Sequence, residues 1–150
     1  MSPLTILFFL PLLAILISCT TAPPAGELTE GHLRPCPNRP NCVTSDNPAT
    51  GSIAPISFHG SPEEAWRKIQ AAMADLGGTI KHSGPTYLWA TFTSALFGFV
   101  DDVEVRMDPD RQLIHIRSGA RVGYSDFGVN RKRVEKIRNS FLNEEPKKDR

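Results

Sequence analysis

The sequence has almost no excess of either charge: 17 Lys and Arg residues are balanced by 16 Asp and Glu residues, and the net charge is +1. Domains that bind nucleic acid usually carry a clear positive excess. We therefore expect no nucleic-acid partner. The hydrophobic share of 40% is ordinary, so a single domain with a core of normal size can form.

Motifs of the commonest catalytic sites are also missing. The sequence contains no Gly-x-Ser-x-Gly turn, no glycine-rich phosphate loop and no cysteine beside a histidine. No two histidines stand at the spacing of metal ligands; they are His32, His59, His82 and His115. We expect no enzyme activity, no cofactor and no metal site.

Long hydrophobic runs are absent except at the N-terminus. Residues 4–17 are almost wholly apolar, which is shorter than the roughly 20 residues of a membrane-spanning helix but suits an export signal. The following Leu-Ile-Ser-Cys at 16–19 resembles the lipobox of bacterial lipoproteins. We predict a signal peptide over 1–18 and a diacylated Cys19; an ordinary cleaved signal and an uncleaved anchor are the alternatives.

The segment after Cys19 predicts a membrane-tethered protein. Residues 19–33 are rich in proline and polar side chains and show no periodicity, which is typical of a flexible tether. Two acyl chains would attach the protein stably to a membrane. Thr20 stands where an aspartate would favour retention at the inner membrane in the enterobacterial pattern. We expect a periplasm-facing protein of the cell envelope, more at the outer than the inner membrane.

Cysteine is scarce, with three residues in the chain. Without Cys19, the remaining Cys36 and Cys42 form an even pair in an oxidising compartment, which favours a disulfide. A bridge closing so short a loop would contribute roughly 2 kcal/mol on the chain-entropy account. A thiol or metal pair is the alternative, but further ligands at suitable spacing are missing.

The remaining sequence predicts one α+β domain over 34–142, followed by a disordered tail over 143–150. Ser61-Pro62-Glu63-Glu64 has the pattern of a capping box, and an apolar stripe follows it: Trp66, Ile69, Met73 and Leu76. A second helix begins after Ser125 or Asp126, and its apolar stripe comprises Val134, Ile137 and Phe141. We predict an antiparallel sheet of about five strands in β-α-β-β-β-β-α order, with both helices packed on one face.

The stretch 99–133 contains a predicted hairpin and most of the unusual polar residues. Alternation on both arms indicates a sheet with one buried face. A turn at 108–111 would set Val105 opposite Ile114 and Asp102 opposite Arg117. Asp101 falls on the inward face and needs a partner, for which Arg121 or a backbone donor near Tyr124 is expected.

A polar cluster around this hairpin is the candidate site. Guanidinium groups near hydroxyls and a helix N-terminus can bind a phosphate or carboxylate. The alternative, which we favour, is that acids and arginines pair and lock the helix to the sheet. The cluster comprises Asp101, Asp102, Arg117, Arg121, Tyr124, Asp126, Asn130 and Arg131.

Three segments resemble one known family. They are CPNRPNCVTS at 36–45, FVDDVEVR at 99–106 and IRSGARVGYSDFGVNRKRVEKIR at 116–138. Together they are similar to the domain-of-unknown-function 1499 family, which occurs in bacterial envelopes and plastids. The resemblance implies a compact extracytoplasmic domain that is often exported or lipid-anchored, and it implies no activity.

Three functions follow as hypotheses. The leading one is a non-catalytic envelope lipoprotein that binds a protein partner or organises an assembly. The second is a helix-grip-like carrier of a lipid or small apolar ligand, in a cavity lined by Trp89, Phe92 and Phe97. The third is an enzyme using Asp101 or Asp126 with an arginine clamp. The apolar segment 95–100 is expected in the core, with contact to a lipid surface as the alternative.

Overall fold

A computed structural model describes residues 26–46 and 52–143 of the chain. The predicted signal peptide, Cys19 and most of the predicted tail therefore lie outside the described residues. Within these ranges the chain forms two helices and six strands, in the order β1 Cys42–Thr44, β2 Ile56–Ser57, α1 Pro62–Asp75, β3 Thr79–Ser83, β4 Tyr87–Thr93, β5 Val100–Asp108, β6 Leu113–Ala120 and α2 Val129–Asn143.

The strands form one antiparallel sheet in the order β1-β6-β5-β4-β3, with β2 also paired to β6. The predicted α+β class is confirmed. The sheet has one strand more than predicted, because β1 lies in a segment that the sequence indicated as irregular. Its three residues are too few to show alternation, and prolines precede it.

Helix α1 begins where the capping box predicts. The Ser61 hydroxyl accepts a hydrogen bond from the Glu64 N–H at 3.1 Å. Trp66, Ile69 and Met73 are buried, as the apolar stripe requires. Leu76 was predicted to continue that stripe, which is wrong: the helix ends at Asp75, and Leu76 is exposed at its C-cap.

Helix α2 begins at Val129, and the second of its two predicted caps, Asp126, binds backbone N–H groups at its start. One carboxylate oxygen of Asp126 accepts from the Gly128 N–H and the other from the Asn130 N–H, each at 2.9 Å. These bonds satisfy donors that the first turn of a helix leaves without intrahelical partners. The apolar stripe is buried as predicted: Val134, Ile137 and Phe141.

The β5–β6 hairpin forms, but its predicted register is wrong by two residues. Val105 pairs with Ile116 and Glu104 pairs with Arg117. The loop has four residues, 109–112, in place of two, because the Asp108 carboxylate accepts from the Arg111 N–H at 3.2 Å and Gln112 adopts a left-handed φ of 53°. A shift of two keeps every side chain on its face but changes its partner across the strands.

Both faces of the sheet are covered. The helix face packs against α1 and α2 and supplies the hydrophobic core. The opposite face, here called the ionic face, lies under the segment 32–46. Leu33 is buried there, with its N–H bonded to the Asp46 carboxylate at 2.9 Å, so the packed domain includes the end of the segment treated above as a tether.

The two ends of the sheet also differ. At one end, here called the loop end, lie the loops 94–99 and 121–128, the C-terminal end of α1 and the N-terminal end of α2. The Arg121 N–H donates to the Val100 carbonyl at 3.3 Å, which joins the bases of the two loops. The other end, the hairpin end, carries the loop 109–112 and the β3–β4 turn.

Candidate functional site

The centre of the ionic face is Glu104, whose side chain is 0% exposed. Its carboxylate accepts from the Tyr87 hydroxyl at 2.8 Å, from Arg34 Nη2 at 3.0 Å and from Arg117 Nη1 at 2.9 Å. A buried carboxylate is tolerated only when charged donors compensate its lost hydration. Burial and the adjacent Glu104 charge raise the pKa of Tyr87, and burial lowers the pKa of Arg117.

A second buried acid, Asp46, lies near Glu104 on the same face. It forms a two-pronged ion pair with Arg106, at 2.8 and 3.1 Å, and accepts from the Leu33 N–H and from His32 Nδ1 at 3.0 Å. Burial by itself would raise the pKa of Asp46, but these hydrogen bonds outweigh it and hold the pKa well below its usual range. Asp46 therefore joins the N-terminal segment to the sheet.

The third acid of this face is Asp102. Arg121 donates to it twice, at 3.0 and 2.8 Å, and Trp89 Nε1 donates at 2.8 Å. Asp102 was expected opposite Arg117, which instead contacts Glu104. Strand β4 has bulky side chains on both faces for this reason. Those on one face pack in the core, and the Trp89 indole on the other face binds Asp102.

Asp101 lies on the helix face, as its parity predicted, but its expected partner is wrong. It pairs with Arg133 of α2, whose Nη2 lies 2.8 Å from Asp101 Oδ2. Arg133 also lies over the ring of Phe92, 5.0 Å from its centroid. Burial raises the pKa of Asp101, an effect that the Arg133 guanidinium opposes. The pair joins β5 to α2.

Asn130 connects the start of α2 to the sheet. Its amide donates to Asp126 at 2.7 Å and to the Asn41 carbonyl at 3.3 Å, while the Ser118 hydroxyl donates to its side-chain oxygen. Burial alone would raise the pKa of Asp126, but hydrogen bonds from Asn130 and Gly128 lower it. Asp126 is therefore a helix cap rather than a free acid.

The predicted polar cluster does not form a single site. Its members divide among the ionic face, the helix face and the start of α2. Four of its members take part in three separate ion pairs: Arg117 with Glu104, Arg121 with Asp102, and Asp101 with Arg133. Tyr124, Asp126 and Arg131 remain together and line an open cavity of about 590 Å³ beside the disulfide loop.

That cavity has a mixed wall. Arg39 and Arg131 contribute guanidinium groups, and Arg131 Nη2 lies 3.4 Å from the Ser52 carbonyl. The hydroxyl of Ser125 accepts from the Phe127 N–H at 3.3 Å, within the turn. A general base needs an acceptor that can reach a substrate proton, and the carboxylate in this wall is the cap Asp126.

The predicted disulfide is present. Cys36 and Cys42 are bonded, with their Cα atoms 5.6 Å apart. The bridge lies over Gly119 of β6, where an added Cβ would meet Cys42 Sγ at 3.0 Å. The absence of a side chain at Gly119 thus lets the bridge pack onto the strand, and the bridge lies within the segment that covers the ionic face.

The three aromatics predicted to line a carrier cavity lie apart in the described part of the chain. Trp89 belongs to the ionic face, and Phe92 is buried on the helix face. Phe97 is 69% exposed at the loop end. The expectation that the segment 95–100 enters the core is also wrong, because its large side chains project from the loop.

The predicted cluster contains both members of the Asp102–Arg121 pair and at most one member of each other pair described above. Arg34, Asp46 and Arg133 gave no signal, because they lie 70, 60 and 32 positions from their partners Glu104, Arg106 and Asp101. Glu104 did carry a sequence signal, because it alternates with valines on a strand that is flanked by acids and arginines. The corrected register would have set it opposite Arg117.

A family model described as "Protein of unknown function (DUF1499)" matches residues 32–141. The chain belongs to this family. The match confirms the resemblance and covers α1, all six strands, the segment over the ionic face and α2 except its last two residues. It carries no activity with it. Comparison with curated proteins gave no match.

Within the described residues 26–46 and 52–143, two kinds of feature are absent. Neither helix there has the length and apolar character needed to cross a membrane. No group of three His, Cys, Asp or Glu side chains in these ranges is arranged to hold a metal ion.

Proposed function

We propose that this protein is a non-catalytic envelope protein, anchored by a diacylated Cys19 and facing the periplasm, whose domain binds a partner through the loop end. One observation carries the proposal. The buried charged groups form ion pairs with one another inside the domain. By contrast, eight of the nine large apolar side chains exposed in the described residues lie at the loop end.

The non-catalytic role is supported by the state of the acids. Glu104, Asp46 and Asp102 each accept from at least one arginine and one further donor. Asp101, named above for an enzyme, is buried against Arg133. A catalytic acid or base must exchange a proton with a substrate within hydrogen-bond reach, and these groups are enclosed by their partners.

The carrier alternative has weaker support. Its expected aromatic lining is divided among the two faces of the sheet and an exposed loop. The cavity beside the disulfide loop is open and bordered by Arg39 and Arg131, whereas sites for apolar ligands bury most of the ligand among apolar side chains.

The anchor is supported by the lipobox-like residues 16–19 and by the distance from Cys19 to the domain. Gly26, the first described residue, lies seven positions after Cys19. A fully extended chain of that length spans at most about 25 Å. A lipid on Cys19 would therefore keep the domain next to the membrane surface.

Replacement of the lipid-bearing cysteine tests this proposal. We expect the full chain with Cys19→Ala to lose the diacylglyceryl mass and leave the membrane fraction after washing, while Thr21→Ala keeps both properties. Mass spectrometry of the N-terminal peptide and fractionation of washed envelopes measure the outcome. An unmodified Cys19 in the unaltered protein would refute the anchor.

A further inference from the structure

We propose that the loop end docks onto an anionic phospholipid surface, so that the membrane holding the anchor is itself the partner of the domain; this inference rests on the proposed function. Its first support is the exposure of the loop tips. Leu96 is 80% exposed, Phe97 69%, Tyr124 70% and Phe127 91%. Such exposure of aromatic and leucine side chains is unusual for a surface that meets only water.

The exposed apolar residues come from separate elements that converge at one end. Leu76 ends α1, Val129 begins α2, and the others occupy the two loops. The remaining large exposed hydrophobic residue of the described chain, Leu142, lies near the C-terminal end of α2. The loop-end set comprises Leu76, Leu96, Phe97, Phe99, Val122, Tyr124, Phe127 and Val129.

The shape of this set suits a lipid interface better than a packed protein interface. Most of these side chains project from the two loops, and the Phe97 and Phe99 rings are stacked with centroids 5.7 Å apart. The ring and hydroxyl of Tyr124 suit the level of the lipid headgroups, and leucine and phenylalanine side chains insert at the boundary between headgroups and acyl chains. A lipid surface moulds around separate projections, whereas a protein partner needs complementary hollows.

Charge decides which lipid surface is favoured. Basic side chains surround the apolar tips: Arg39 and Arg131 border one cavity, and Lys132 and Lys136 border a second beside Leu76. Of the acids at this end, Asp101 and Asp102 are buried in ion pairs with arginines, and Asp75 at the end of α1 is exposed. Exposed cations beside inserted apolar residues attract anionic headgroups.

The hairpin end provides an internal contrast. Its exposed or partly exposed charged residues include Glu63, Glu64, Asp110 and Arg111, and its loop 109–112 has no large apolar side chain. An anchor that keeps the domain within about 25 Å of the bilayer allows either end to face the membrane. The distribution of apolar and basic side chains selects the loop end.

The test uses the acylated full-length protein reconstituted in vesicles of 70% phosphatidylethanolamine and 30% phosphatidylglycerol. A cysteine introduced as Phe127→Cys carries an environment-sensitive fluorophore, and the vesicles contain lipids with a spin-label quencher. The matched control is Asp110→Cys at the hairpin end. We expect at least threefold stronger quenching at position 127 than at position 110, reduced at least twofold by Lys132→Gln with Lys136→Gln or by high salt.

Equal quenching at the two positions would overturn the docking while leaving the lipid anchor intact, because the anchor alone retains the protein on the vesicles. Thermal unfolding of each labelled variant confirms that it is folded. A photoreactive residue at position 127 in cells gives an independent readout. Adducts with phospholipid support the inference, and adducts with protein alone would show that the loop end binds a protein instead.

Discussion

The two faces of the sheet are buried by different physical means. On the helix face Val103, Val105 and Ile116 are fully buried among apolar side chains, where stability grows with the apolar area removed from water. On the ionic face Glu104 is equally buried but depends on donors from Tyr87 and the arginines. On the helix face, the stability lost in a substitution grows with the apolar area removed. On the ionic face, the loss of one partner leaves a buried charge uncompensated and is strongly destabilising.

The sharpest way to break this comparison is Glu104→Gln. The change keeps the shape of the side chain but removes its charge, so the buried Arg117 guanidinium faces a neutral amide. We expect the free energy of unfolding to fall by about 3–5 kcal/mol, the usual result of breaking a buried ion pair. Urea unfolding measures the effect.

Two controls bracket that result. Ile116→Val removes one methylene group from the helix face and should cost about 1 kcal/mol. Glu135→Gln removes the charge of an exposed glutamate that pairs with Arg138 and should change stability by less than about 0.5 kcal/mol. A loss from Glu104→Gln no larger than that from Ile116→Val would contradict the distinction between the faces.

The disulfide tests whether the covering segment of the ionic face needs a covalent restraint. Replacing both Cys36 and Cys42 by alanine should lower stability by about 2 kcal/mol on the chain-entropy account. The bridge holds the segment that supplies Arg34 and Asp46. In the variant without the bridge, we therefore also expect the amide of Leu33 to exchange faster than the amide of Val105. Uniform exchange rates in the variant would show that the segment is held by its ion pairs alone.

Acid should weaken the ionic face first. The pKa of Asp46 is lower in the folded protein than in the unfolded chain, so the unfolded state binds the extra proton in acid. The stabilisation is full above the ordinary Asp pKa of about 4. It is lost as the pH falls from there through the folded pKa, with a slope of at most about 1.4 kcal/mol per pH unit for one carboxylate.

Asp46→Asn should reduce this acid slope and lower the stability at pH 7. Urea unfolding between pH 2.5 and pH 7 measures both quantities. Asp110→Asn, at an exposed position of the hairpin loop, serves as the control and should leave the slope unchanged. An unaltered slope in Asp46→Asn would mean that other carboxylates, such as Asp126, govern the acid limb.

Local patterns in the sequence determined the elements. The capping box at Ser61, the stripe Val134 to Phe141 and the strand alternation at 102–107 are interactions within a few residues, so the sequence displays them directly. The disulfide was also predictable, since setting aside Cys19, the predicted lipid attachment site, leaves one pairing for the other two cysteines. The α+β class follows from these elements in order.

Tertiary structure decided the partners. A loop of four residues in place of two moved Glu104 to Arg117, and Asp101 found Arg133 on a helix 32 positions away. It also decided that Leu96 and Phe97 face outward. An apolar segment of this kind can lie in a core or in an exposed loop, and its sequence alone does not distinguish the two. The ion pairs and the exposure of side chains depend on which distant segments come into contact. The loops set those contacts, and their sequences have no periodicity that would predict them.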